Sequence, residues 1–150
     1  MQVLQDLRHP NILHVQEMVV GDTLNDVYMV MDFEPFELGK TLRTIKTDLS
    51  ASEVKTLLHQ LLSGVAYLHR KWYFHRDIKS SNLLYKDGVL KLCDFGMARR
   101  FSRPLERYTQ HVCTLVYRAP ELLANPQEDA RYPPTRSILY DEKIDLWSVG

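Results

Sequence analysis

A chain of 150 residues suffices for one domain with a real core, and its 45% hydrophobic and 25% charged residues are ordinary for a globular protein. Nineteen basic and nineteen acidic residues cancel to a formal charge of zero, which argues against direct, general binding of nucleic acid. Cys93 and Cys113 fit no metal spacing and read as free thiols of a reducing compartment; with no membrane-length apolar run and no targeting peptide, the expected location is intracellular, nucleus or cytoplasm, with no membrane partner.

Val15 to Val20 and Val27 to Phe33 are rich in β-branched and apolar residues, with Gly21, Asp22, Asn25 and Asp26 between them, which predicts a β-hairpin with a longer loop. Glu34-Pro35-Phe36-Glu37 breaks the pattern, because proline cannot continue a ladder, and Thr41 to Lys46 reads as a short helix. Ser50 and Glu53 fit a capping box. Behind them Val54, Leu57, Leu58, Leu61, Leu62, Val65 and Leu68 form one apolar stripe on a helix over 51–70, expected to bury in a core. Leu83 to Tyr85 and Val89 to Leu92 read as a second hairpin around Lys86-Asp87-Gly88, since Asp-Gly favours a tight turn. From Gly96 to Glu121 periodicity is lost, as in a long surface segment. Asn125 to Tyr140, with Pro126, Pro133 and Pro134, reads as a flexible insertion, and Ile144 to Gly150 as the start of an apolar helix.

The polar stretch between helix and second hairpin, His75-Arg76-Asp77-Ile78-Lys79-Ser80-Ser81-Asn82, carries the chemistry. Phosphoryl transfer needs a carboxylate to orient the attacking hydroxyl, a cation on the transferred phosphate and oxygens for magnesium. Asp77, Lys79 and Asn82 can supply these in turn. Asp94, twelve residues after Asn82, offers a second magnesium ligand, and Gly96 would permit the backbone turn that follows. His14, His59, His69 and His111 read as packing or surface residues rather than ligands.

These segments resemble the protein-kinase signature of catalytic loop, Asp94-Phe95-Gly96 and Ala119-Pro120-Glu121. His9-Pro10-Asn11-Ile12 and Asp145-Leu146-Trp147-Ser148-Val149-Gly150 are further kinase-like elements in the right order. Lys79 and Thr114 resemble the serine/threonine class, where Thr114 would bond Asp77 and Lys79 and His75 would be a packed framework residue. The stretch Tyr108 to Glu121 is similar to the activation segment of cyclin-dependent kinases. Val54 to Leu58 and Pro104-Leu105 are similar to the transcription- and splicing-linked branch sometimes called PITSLRE kinases. Val116 stands where that group usually has tryptophan, and Glu121 to Asp145 is longer than usual; both departures bear on substrate docking more than on chemistry.

The resemblance implies an α+β fold, a partial kinase-like bilobal domain holding the end of the N-lobe sheet and the first half of the mostly helical C-lobe. Residues 1–33 would be the N-lobe remnant, 34–40 the hinge region and 41–150 the C-lobe part, with an insertion at about 125–140. It implies ATP and Mg²⁺ as cofactors, a protein substrate phosphorylated on serine or threonine before proline, and a possible cyclin partner. Adenine would meet the backbone at Asp32 and Glu34, with Met31 as gatekeeper, Leu84 as floor and Glu37 toward the ribose; Cys93 would line the pocket. Asp77, Lys79 and Thr114 would be catalytic, Lys79 would also meet the phosphate, and Asn82 and Asp94 would hold the metal. Thr109 would be an activating phosphorylation site served by Arg76 and Arg99. Neither a glycine-rich phosphate loop nor the strand lysine occurs in the chain, and Glu121 lacks its usual distal arginine partner. Two classes of function stay open: an enzyme whose longer form is active, and a non-catalytic kinase fragment that binds or competes for partners.

Overall fold

The computed structural model describes residues 7–22, 26–45, 48–123 and 137–150. The fold is α+β: antiparallel strand pairs and four α-helices are interleaved among the described residues. The chain divides into two compact units, residues 1–64 with 80–93, and residues 65–79 with 94–150.

In the first unit, β1 (Val15–Val20) and β2 (Val27–Met31) pair antiparallel, with an irregularity between Val15 and Glu17. The strand stops at Met31 rather than Phe33, and all five residues of β2 are exposed. Asn25 of the expected loop lies outside the described residues. The ladder interruption expected at Pro35 is brief, because β3 (Phe36–Glu37) pairs with β5 (Leu83–Lys86), which pairs in turn with β6 (Val89–Leu92). Asp87 and Gly88 both adopt positive φ, 49° and 83°, the geometry of the two-residue turn that Asp-Gly favours.

Helix α1 runs Leu38–Thr44, three residues earlier than the sequence suggested, and Lys46 lies outside the described residues. The reason is Gly39: a Cβ there would meet Ser80 Oγ at 2.8 Å, so the glycine serves close approach rather than chain breaking. Helix α2 spans Ala51–Arg70. Its start is a full capping box: Glu53 N–H donates to Ser50 Oγ (3.3 Å) and Ser50 N–H to Glu53 Oε2 (2.8 Å). The expected stripe buries only in part. Leu61, Gly64, Val65 and Leu68 are buried, whereas Val54, Leu58 and Leu62 stay exposed. Periodicity reports which residues share a face; the width of the covering neighbour sets how much of that face leaves water. In the first unit that neighbour is the segment 9–13. Leu13 N–H donates to Leu92 O, Leu92 N–H to Asn11 O, and Asn11 Nδ2 to Leu90 O and Gln60 Oε1.

The second unit is built on β4 (Tyr73–Phe74) paired with β7 (Arg99–Arg100), and β8 (Arg107–Thr109) paired with β9 (Ser137–Leu139). Two short helices, α3 (Pro120–Leu123) and α4 (Lys143–Val149), complete it. Phe74 centres the core, stacked on Phe101 at 4.9 Å and edge-on to Tyr108 at 5.0 Å. Val112, Cys113, Ala119, Leu122, Tyr140 and Ile144 join the cluster. This corrects two expectations. The Gly96–Glu121 stretch is not surface throughout: Phe101, Tyr108, Val112, Cys113 and Ala119 anchor it, and full burial of each aromatic ring contributes roughly 1.5–3 kcal/mol. The insertion does not extend to Tyr140, because Ser137–Leu139 is a strand and Tyr140 is buried; Pro126, Pro133 and Pro134 lie outside the described residues.

Candidate active site

The site is assembled from backbone upward. Arg76 sits in the left-handed region (φ 68°), which turns the chain so that the amides of His75 and Arg76 both point at one carboxylate, Asp145 of α4, at 2.8 Å each. Such a conformation costs a non-glycine residue about 1 kcal/mol or more, and the carboxylate bonds hold it. His75 is wholly buried; its Nδ1 accepts from the Asp77 amide (3.2 Å) and its ring packs against Phe95 at 5.0 Å. Asp77 is thereby presented at the end of a fixed turn.

Asp77, Lys79 and Thr114 meet. Lys79 Nζ lies 2.8 Å from Asp77 Oδ2 and donates to Thr114 Oγ1 at 3.1 Å. Thr114 donates to Asp77 Oδ1 through its hydroxyl (2.9 Å) and its amide (3.2 Å). Burial pulls the Asp77 carboxyl upward, but bonds from Lys79 and Thr114 with the Lys79 charge outweigh it, and the group lies below its ordinary 3.8. The Asp77 bond, with the Asp94 charge adding, raises Lys79 above 10.5. The pair is ionised throughout neutral pH: an anion able to accept a hydrogen bond beside a fixed cation.

Asp94 adopts φ 58°, and its Oδ1 accepts the Gly96 amide at 3.2 Å. The turn therefore pivots on Asp94, not on Gly96 as the sequence suggested. Gly96 matters for space: a Cβ there would lie 3.1 Å from Asp94 Oδ1 and press on the carboxylate. Asn82 is buried in the first unit, where its carbonyl accepts the Cys93 amide at 2.9 Å. Also in that unit, Met31 ends β2, Asp32 Oδ1 accepts from Gln16 (2.8 Å), and Glu34 pairs with Lys91 at 2.6 Å. Glu37 pairs with Lys40 at 2.8 Å and stands opposite Leu84 in the β3–β5 ladder. Cys93 is half-buried and takes part in no disulfide among the described residues.

Thr109 is exposed at the end of β8, opposite Ser137. Arg99 lies over the Tyr108 ring at 5.6 Å and forms no ion pair among the described residues. Arg76 donates from Nε to Met97 O (2.7 Å) and from Nη1 to the Tyr140 hydroxyl (3.0 Å).

Three contributors escaped sequence reasoning. His69, read as packing or surface, places Nε2 2.9 Å from Asp145 Oδ2. Asp145 itself was seen only as part of a motif; an acidic residue opening an apolar helix is the available signal. Tyr140 falls within the expected insertion, and its aromatic ring four residues before Ile144 could have argued for a core position. Cys113 sits at φ 63°, one residue before Thr114, and burial together with the Asp145 charge pushes its thiol up to about 11.

The model of the protein kinase domain family matches residues 1–150. Cyclin-dependent kinase G-1 of Oryza sativa subsp. indica is 46% identical over 151 residues, covering 100% of this chain and 20% of the relative. Cyclin-dependent kinase 11 of Dictyostelium discoideum is 43% identical over 150 residues, covering 99% and 39%, and cyclin-dependent kinase 11B of Mus musculus is 46% identical over 144 residues, covering 95% and 17%. The chain thus spans between about a sixth and two fifths of the length of these curated relatives.

Proposed function

The chain belongs to the protein kinase domain family, and on that premise we propose that the protein carrying it transfers the γ-phosphoryl group of ATP to serine or threonine of a protein substrate. The observation that carries this reading is the Asp77–Lys79–Thr114 constellation, with its 2.8, 2.9 and 3.1 Å contacts. The substrate hydroxyl oxygen attacks the γ-phosphorus and the bond to the bridging oxygen breaks. Asp77 orients that hydroxyl and takes its proton, Lys79 meets charge on the transferred group, and Thr114 holds both side chains in register. Adenine recognition belongs to the backbone of Asp32 and Glu34, with Met31, Leu84 and Glu37 beside it.

Among the described residues no cluster of three or more His, Cys, Asp or Glu is assembled to cage a metal. Mg²⁺ does not need one, since it takes one or two protein oxygens and completes its shell with phosphates and water. The hard oxygen donors of Asp94 and Asn82 fit that requirement. When bound, Mg²⁺ would neutralise charge developing on the phosphates.

Similarity to cyclin-dependent kinases supports the rest of the proposal. Substrates carry proline after the acceptor, a cyclin-like protein is a partner, and Thr109 is an activating phosphorylation site with Arg76 and Arg99 as its cationic partners. Residues 1–33 are the N-lobe remnant, 34–40 the hinge and 41–150 the C-lobe part. No helix among the described residues is long and apolar enough to cross a membrane, and the proposed location is the nucleus or cytoplasm. The test is phosphate transfer from labelled ATP to a Ser-Pro or Thr-Pro peptide by the full-length protein carrying this chain. Asp94→Asn, which removes a ligand charge, should abolish it; turnover at the wild-type rate would sink the assignment.

A further inference from the structure

Tyr140 is almost fully buried, and its hydroxyl makes two bonds at once. It accepts from Arg76 Nη1 at 3.0 Å and donates to the backbone carbonyl of Thr109 at 2.9 Å. The ring is clamped between Phe74 (5.7 Å) and Tyr108 (5.4 Å), so the hydroxyl has little freedom to move. Burial raises the phenol above its ordinary value of 10.0 despite the Arg76 bond, so it keeps the proton it donates.

Arg76 gives this arrangement its meaning. Its guanidinium is buried against the Phe74 ring, and its acceptors among the described residues are Met97 O and the Tyr140 hydroxyl, with no carboxylate. A buried cation offered only neutral acceptors is incompletely compensated and seeks a stronger one. The backbone amide of the same residue is fixed on Asp145, one residue before Asp77. A single hydroxyl thus links the catalytic loop to the strand that ends at Thr109, and β9, which leads directly into Tyr140, pairs with that strand through Ser137 and Thr109.

We propose that Tyr140 is a positioning residue whose hydroxyl stands in for a phosphate acceptor, holding Arg76 and the Thr109 backbone in register before Thr109 is phosphorylated. The proposal rests on the reading of Thr109 as an activating site. Once a phosphate is present, Arg76 gains a charged acceptor on the same strand and the hydroxyl becomes dispensable. A tyrosine that merely filled the core would matter equally in both states.

The experiment compares wild type and Tyr140→Phe in the full-length protein, each with Thr109 unphosphorylated and phosphorylated by an activating kinase, with kcat and KM for ATP measured separately. Phenylalanine keeps the ring in the cluster, and thermal melting checks that the variant folds. The expected result is a loss of roughly tenfold in kcat for the unphosphorylated variant, as follows from losing a hydrogen bond to a charged group, with KM for ATP unchanged. The phosphorylated variant should lose less than about threefold, because the phosphate takes over the guanidinium. Equal losses in both states, or none in either, overturn the proposal. Hydrogen exchange on wild type gives an independent reading that survives a misfolded variant: the amides shared by β8 and β9 should be protected before phosphorylation, and rapid exchange there overturns the proposal too. Thr109→Ala separates the layers. Activation that persists in Thr109→Ala overturns the Thr109 reading and this proposal with it. Activation abolished there, with equal Tyr140→Phe losses, overturns this proposal alone.

Discussion

Asp145→Asn is a change of one atom type at a position wholly shielded from solvent. Its two oxygens serve three donors or partners: the amides of His75 and Arg76 at 2.8 Å each, and His69 Nε2 at 2.9 Å. An asparagine can turn its carbonyl oxygen to one amide, but its NH₂ then faces the other. One buried N–H is left unpaired, at a cost of about 1–3 kcal/mol, and the surviving bond loses its charge assistance, worth about 1 kcal/mol more. The sum is about 2–4 kcal/mol. With a urea slope of about 2 kcal/mol/M, the unfolding midpoint should fall by about 1–2 M with the slope unchanged. Because the two amides immediately precede Asp77, kcat should fall as well, even though Asp145 touches no reacting atom. The assay is urea denaturation of the full-length protein, followed by peptide phosphorylation in native buffer. A midpoint shift below about 0.3 M would refute the reasoning, since no arrangement of an amide satisfies both N–H groups.

Thr114→Ala removes a bond that holds the Asp77 carboxyl down. That carboxyl is depressed in the fold, so its contribution is present above its ordinary 3.8 and is lost as pH falls through the folded value. The acid limb of kcat/KM should therefore move to higher pH in Thr114→Ala, with kcat reduced about tenfold, and Thr114→Ser should restore both. Gly64→Ala should destabilise by about 1–3 kcal/mol although alanine favours helix by about 1 kcal/mol, because its Cβ would meet Asn11 O at 2.9 Å; an unchanged or raised melting temperature would contradict this. Cys113, held up to about 11 against an ordinary 9.0, should resist iodoacetamide at pH 8 in the native protein and react once it is unfolded, as mass spectrometry can read. The native state holds that proton more tightly than the unfolded chain does. Its contribution to stability is complete below about pH 9 and is lost as pH rises toward about 11.

Legibility in the sequence followed the range of the interaction. The capping box at Ser50 and Glu53 and the Asp87-Gly88 turn are decided within four residues, and both formed where the residues said they would. The Asp77–Thr114 bond joins residues 37 apart, and only a family pattern made it visible in advance. Helix α1 begins at Leu38 rather than Thr41 and takes in Gly39, whose reason is Ser80, far away in the chain. Residues 96–121 looked like surface because an irregular backbone has no period, yet Phe101 and Tyr108 are fixed individually by contact with Phe74. Arg76 takes a left-handed conformation that no propensity scale assigns to arginine, and only the bonds around it explain why.

Leu122 and Tyr140 lie in one core cluster, and between them the chain runs through residues 124–136. Each end of that stretch is moored independently, one by α3 and the other by the pairing of β9 with β8. Leu122 and Tyr140 meet in that core only once the chain between them has been brought round, and the entropic cost of bringing them together grows only logarithmically with the number of residues separating them.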